Sequence, residues 1–356
     1  MKPKVTFPRW GHYTLAFEFL IKKLGGKAII PENTTPQMIS EGARVSPEMY
    51  CFPLKANLGN YLKAIEMGAE IILMVTSCGS CRLRYYGMVQ EKILRDLGKK
   101  VQFIIFDQNP KEVYLTLRKL FKKSFFEIGK ALFQFWQRIK LIEEIEKISW
   151  KLRPREIIKG ETDKIFRESL EKMREEKKPL SLLKKEIFSE FSKIKIEKGK
   201  KVPRVGIVGE IFMACEPSLN FDIEKKLGNL GVEVQKEVLL SYHLTKKIFL
   251  RDFFMEKKVK DYLGSRVGGH GMDAVYEMLK YIKEGMDGVV QILPFSCMPE
   301  VTVRPILERI HQKKKVPFLS LSIDEQIAEA GFNTRLEAFV DVVESYFKNS
   351  HKDKLT

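Results

Sequence analysis

Four cysteines stand in settings that suit metal–thiolate chemistry. Cys78-Gly-Ser-Cys81 is a two-residue-spaced pair, and Gly79 lets the backbone bend closely enough for both thiolates to reach one metal or cluster. Alone, the pair is open among zinc, thioredoxin-like redox chemistry and an iron–sulfur cluster. Its Gly-Ser filling argues against the thioredoxin site, where apolar residues or proline normally separate the thiols. Cys51-Phe-Pro53 and Cys297-Met-Pro299 each carry a proline two residues after the cysteine. Proline stiffens such a loop and removes an amide donor, and thiolates beside proline recur in iron–sulfur loops. Thiols spread from Cys51 to Cys297 suit a cluster wedged between domains; a zinc knuckle keeps its ligand pairs close in sequence. The plainer alternative is four unrelated buried thiols. The fifth cysteine, Cys215, reads as packing, with approach to the same site as its alternative.

A second chemical feature is the loop Gly268-Gly269-His270-Gly271, which precedes a helix carrying Asp273 near its start. Free N–H groups at such a start can cradle a phosphate or carboxylate. No strand precedes the loop, so it is not a dinucleotide fingerprint. His270 is then either a ligand group or a loop histidine satisfied by backbone. The chain contains no P-loop sequence, so ATP hydrolysis by that route is not expected.

The chain has 356 residues, 44% of them hydrophobic and 11% aromatic, enough for two packed domains with an insertion. No apolar run approaches the roughly 18 residues of a membrane helix, and the N-terminus has no signal-peptide core. The expectation is a cytoplasmic protein without membrane association. The odd cysteine count is a poor disulfide framework and fits a reducing compartment. A net charge of +17 favours polyanions or an acidic partner. The excess is concentrated in residues 111–200, where 25 basic side chains face 15 acidic ones. That stretch reads as helix without a nucleic-acid-binding signature, so a solvated basic face is expected and nucleic acid is not.

Three segments position these groups. Residues 1–110 alternate helix and strand signals: a strand from Lys4, a helix over Thr14–Leu24, a strand at Lys27–Ile30, a helix over Asn60–Met67, and apolar strands at Ile71–Val75 and Val101–Phe106. Continuous apolar runs suit parallel strands buried on both faces. Residues 111–200 form a helical insert, where Phe121, Phe125, Ile128, Leu132, Phe135, Ile139 and Ile142 recur at helical spacing as core rather than as a cofactor box. Breaks are expected near Pro154 and Pro179. Residues 201–356 return to α/β, with strands at Val205–Val208, Val232–Val238, Gly288–Leu293 and Pro317–Leu321 and helices at Ile223–Gly231, Asp273–Lys283 and Arg335–Phe347. The fold class is α/β, with a lobe on either side of the insert.

The lobes echo each other. In each a helix ends at a glycine (Gly68, Gly285), an acid follows (Glu70, Asp287), then an apolar strand, then a cysteine (Cys78, Cys297). Both cysteines fall just past the carboxyl end of a central strand, where open α/β sheets place ligands.

The segments Cys51-Phe-Pro-Leu-Lys55, Cys78-Gly-Ser-Cys-Arg82 with Tyr85-Tyr86-Gly87, Pro294-Phe-Ser-Cys-Met-Pro-Glu300 and Thr334-Arg-Leu-Glu-Ala-Phe339 resemble the acyl-CoA dehydratase activase-related proteins of the 2-hydroxyacyl-CoA dehydratase and benzoyl-CoA reductase group. The resemblance covers both lobes and not the basic insert, and Ser80 stands where the family would have proline. It implies two flavodoxin-like (Rossmann-like) lobes with a [4Fe-4S] cluster in the inter-lobe cleft, held by Cys51, Cys78, Cys81 and Cys297. Arg82, Lys55, Gly269, His270 and Gly271 would shape the cleft for a cofactor or CoA-type ligand. Electrons would come from a separate ATP-dependent activator protein or another redox partner, and two copies of the chain could form a homodimer. True dehydratases of the group place a CoA thioester beside an open cluster iron; four thiolates would cap that iron and favour electron transfer. A CoA-thioester dehydratase or reductase subunit and a non-catalytic zinc-stabilised binding protein are the alternatives.

Overall fold

The computed structural model describes residues 2–76, 81–175, 178–246 and 251–352. The first lobe runs β1 (Lys4–Thr6), α1 (Thr14–Lys23), β2 (Lys27–Ala28), α2 (Pro36–Val45), α3 (Phe52–Glu66), β3 (Ile71–Thr76), α4 (Leu83–Asp96), β4 (Gln102–Asp107) and α5 (Pro110–Phe121). The insert contains α6 (Phe125–Leu152), α7 (Glu161–Glu175) and α8 (Leu180–Ser192). The second lobe opens with β5 (Arg204–Gly209), α9 (Ile211–Cys215), α10 (Pro217–Asn220), α11 (Ile223–Asn229) and β6 (Glu233–Lys236). It continues through α12 (Leu240–Lys246), α13 (Arg251–Val259), α14 (Gly271–Lys283), β7 (Gly288–Pro294), α15 (Met298–Lys314), β8 (Phe318–Ile323) and α16 (Glu329–Lys352).

Each lobe carries one four-stranded parallel sheet, in the orders β2-β1-β3-β4 and β6-β5-β7-β8. The orders are the same once the second lobe is renumbered, the arrangement of a flavodoxin-like half. Alternation along the strands supplies both covered faces. In the second sheet Val205, Ile207, Val290 and Ile292 face a core with Phe332, Leu336 and Val340 of α16. Val208 and Val289 face the opposite core, with Met272, Val275 and Met278 of α14. In the first, Ile72 and Met74 meet Leu54, Leu58 and Tyr61 of α3, while Ile71 and Leu73 face the core that includes α1 and the insert.

The sequence echo has a physical basis. Gly68 and Gly285 follow the preceding helices with φ of +95° and +70°, a backbone conformation cheap only for glycine. Glu70 then pairs with Lys4 at the start of β1 (2.8 Å), and Asp287 accepts the Arg204 N–H at the start of β5 (2.8 Å). The same acid thus fastens the same strand entry in both lobes.

The structure departs from the sequence reading in several places, among them the start of the insert, since residue 111 falls within α5. α3 begins at Phe52, directly after Cys51, rather than at Asn60. Pro53 sits in its first turn, where no amide is needed, and twelve of its fifteen residues are buried, so amphipathic periodicity is absent. α2 was not anticipated; it packs on α3 through glycines, a Cβ at Gly59 meeting the Met38 carbonyl at 1.8 Å. The insert shares its core with the first lobe: Ile128, Phe135, Ile139 and Ile142 of α6 join Val5, Leu20 and Phe121. Phe125, read as part of that stripe, is exposed, because Ser124 and Glu127 form a capping box that starts the helix at this residue. Among the described residues no helix is long and apolar enough to cross a membrane.

Candidate metal centre

Cys51 is the N-cap of α3 and Cys297 the N-cap of α15, each in extended conformation with proline as the second helical residue. The Cys-x-Pro pattern is therefore a helix start with the cysteine at the N-cap position. Cys81 lies just before α4, and the backbone N–H groups of Leu83 and Glu300 act to lower the Cys81 and Cys297 thiols respectively. First-turn N–H groups and the positive end of the helix favour thiolate. Burial opposes them: it pushes the Cys51 thiol up to about 11 despite the Tyr86 hydroxyl 2.6 Å from its sulfur. Burial, with Glu300 and Glu210 adding to it, pushes Cys297 higher, and burial also raises half-buried Cys81.

The three thiols share one electrostatic neighbourhood. Cys51 feels Cys81, Cys297 feels Cys51, and Glu210 acts on all three. Contacts between lobes gather here. Arg82 donates to the Met49 carbonyl and to Ser296 Oγ (3.2 Å), and Ser296 Oγ donates to the Met49 carbonyl (2.9 Å). Ser296 holds φ at +65°, a left-handed turn between β7 and α15 that delivers Cys297. On the other side a Cβ at Gly269 (φ +61°) would lie 2.8 Å from Pro299 and 3.7 Å from the Cys81 Cβ. Glycine is required there both for the turn and for the close approach.

Two carboxyls underlie the thiols. Glu210 follows β5, caps α9 by accepting the N–H groups of Phe212 and Met213 (3.0 and 2.9 Å), and is raised by burial. Burial raises Glu300 to about 8, against the hydrogen bond from Gln291 Nε2 (2.9 Å), and its other oxygen has no hydrogen-bond partner.

The expected site residues divide among several places. Cys51, Cys81, Arg82, Gly269 and Cys297 come together as described. Gly271 starts α14 and packs against Pro299 and Val303. His270 caps α14, its ring 5.0 Å from that of His243, whose Nε2 lies 3.2 Å from Gln108 of the first lobe. Lys55, expected to face a ligand, is buried and ion-paired with Glu325 just after β8, so it joins the lobes. Cys78, with Gly79, lies outside the described residues. Among the described residues no group of three or more His, Cys, Asp and Glu side chains has a metal-ligating arrangement. Cys215 is buried beside Ile211, Ala214 and Val238, with Lys236, Glu146, Glu224 and Glu210 as electrostatic neighbours. That is the packing role.

Glu210, Ser296, His243 and Glu300 were not singled out by sequence reasoning as site residues. Glu210 carried a signal, an acid directly after an apolar strand ending in glycine. Ser296 carried none, since the need for a left-handed residue is visible only in the fold. The chain matches no family model and no curated protein.

Proposed function

We propose that the chain is a [4Fe-4S] protein for low-potential electron transfer, with Cys51, Cys78, Cys81 and Cys297 as ligands. The observation that supports it best is that thiols from both lobes stand at or just before helix starts and are electrostatic neighbours. The donor set fits such a group: soft sulfur ligands at helix starts and buried surroundings. The group would supply a one-electron couple. The protein would hold the lobes at fixed spacing through Arg82, Ser296 and Lys55, and exclude water by burying Cys51 and Cys297. Ligation requires the thiols to lose protons that burial makes them keep, so binding releases protons.

Met49, Tyr85, Phe295, Met298 and Val301 lie exposed in the segments that carry the thiols. Clustered apolar side chains of this kind suit a docking protein. This supports reduction by a separate partner, an ATP-dependent activator in the reading that the family resemblance implies. Action on a CoA thioester is the second reading, and it follows from the family resemblance. The two readings part in a Cys→Ala series. Electron transfer through a capped cluster needs all four ligand cysteines, whereas a dehydratase tolerates loss of one. Full metal content and an unchanged spectrum in Cys297→Ala would remove the inter-lobe site altogether.

A further inference from the structure

A second site stands apart from the cysteines. A cavity of about 460 Å³ lies where the N-terminal loop at Arg9–His12, the insert and the second lobe meet. Its volume is within the range of small-molecule sites. The acceptors in its wall are largely taken. Glu146 is bonded to His12 Nδ1 (2.8 Å) and accepts the Tyr13 hydroxyl (3.4 Å), and Glu216 accepts the N–H of Gly11 (2.6 Å) and Ser218 (3.3 Å). Asp163 accepts from Arg153 Nε (2.8 Å), and Glu224 pairs with buried Lys236 (2.5 Å).

The donors are not all taken. Arg153 is buried and lines the cavity, and its Nη1 has no hydrogen-bond partner in the protein. Arg9 also lines it; Nη1 donates to the Pro31 and Glu32 carbonyls and Nη2 to Asn33, yet its buried Nε is unbonded, 3.4 Å from Glu216 Oε2. Buried guanidinium N–H groups almost always find an acceptor, and arginine has no acceptor capacity of its own. Both N–H groups belong to side chains that line one cavity, and an anion entering it would supply the acceptor they lack. Trp150 and Phe166 provide apolar wall for the remainder of a ligand.

We propose that this cavity binds a small molecule through a phosphate or carboxylate group received by Arg9 and Arg153. Its place gives binding a structural consequence: the ligand contacts the N-terminal loop, α7 with the turn before it, and the α9–α11 segment at once, and so pins the basic insert to both lobes. The inference does not rest on the iron–sulfur reading.

The test is calorimetric titration of the full chain with inorganic phosphate and, separately, with succinate, repeated on Arg153→Lys and Arg9→Lys. Each substitution keeps the charge and removes the donor fork. Thermal unfolding of each variant establishes that it is folded, and either variant alone suffices if the other is not. The expected result is saturable binding of at least one anion with a Kd below about 1 mM, weakened about tenfold or more in the variants. Binding of phosphate alone identifies a phosphate-bearing ligand, of succinate alone a carboxylate, and of both a general oxyanion site. No saturation with either, meaning a cavity that holds water only, or affinities unchanged in both variants, would overturn the proposal.

Discussion

Cys51 and His270 hold the same topological place in the two lobes. Each caps the helix that leads into the third strand of its sheet, α3 into β3 and α14 into β7. The next connection repeats as well: Cys81 and Cys297 both precede the helix that follows that strand. Four helix starts, two from each lobe, thereby carry Cys51, Cys81, Cys297 and the neighbouring His270. The sheets share one strand order, and at this position the first lobe offers a thiol and the second an imidazole.

Ser296 separates two effects that act in opposite directions. Its hydroxyl bonds the Met49 carbonyl across the lobes, while its left-handed backbone is strained for any residue with a Cβ. Ser296→Ala loses the bond and keeps the strain, at a cost of about 1 kcal/mol. Ser296→Gly also loses the bond but relieves strain of about 1 kcal/mol, and is expected near wild type. Urea midpoints measured on all three proteins check this ordering.

Lys55 and Glu325, 270 residues apart, form a buried inter-lobe ion pair. Lys55→Met leaves the carboxylate without its partner at low exposure and is expected to cost roughly 3 kcal/mol. The double variant Lys55→Met/Glu325→Gln removes both charges and should cost clearly less than the sum of the single changes. Additivity in a double-mutant cycle of unfolding free energies would show that the pair does not couple the lobes.

Glu277 on α14 gives a pH signature. Burial holds its carboxyl well above the usual value; Asp273, Glu237 and Glu300 add to this, and Lys280 opposes it. The unfolded chain releases this proton near pH 4.3, while the folded chain retains it to higher pH. Stability therefore falls as pH rises from the unfolded value through the folded one. In Glu277→Gln that loss disappears, so its advantage over wild type grows from about pH 4 toward neutrality. Parallel stability curves for the two proteins would contradict the assignment.

Much of the frame was legible before the fold was known, because parallel strands buried on both faces leave apolar runs such as Ile71–Val75 and Gly288–Leu293. The echo of glycine, acid, strand and cysteine was legible too, since each member does local work. What escaped depends on distance or on absent periodicity. Lys55 reads as a cation facing a ligand in the cleft until the turn after β8 brings up Glu325. The first half of α3 is buried all round, and its Pro53 and Gly59 look like breakers, although one suits a first turn and the other admits Met38. Cys51 and Cys297 were visible as residues, but their common role as helix caps was not.

The central claim is that thiols from both lobes hold one cluster. Iron, sulfide and zinc content of protein purified without oxygen, with electron paramagnetic resonance before and after dithionite, tests it most directly. A shared [4Fe-4S] cluster gives about four irons and four sulfides per chain, little zinc, and a signal that appears on reduction. Stoichiometric zinc with a silent spectrum would contradict it and leave a metal-stabilised protein without redox chemistry.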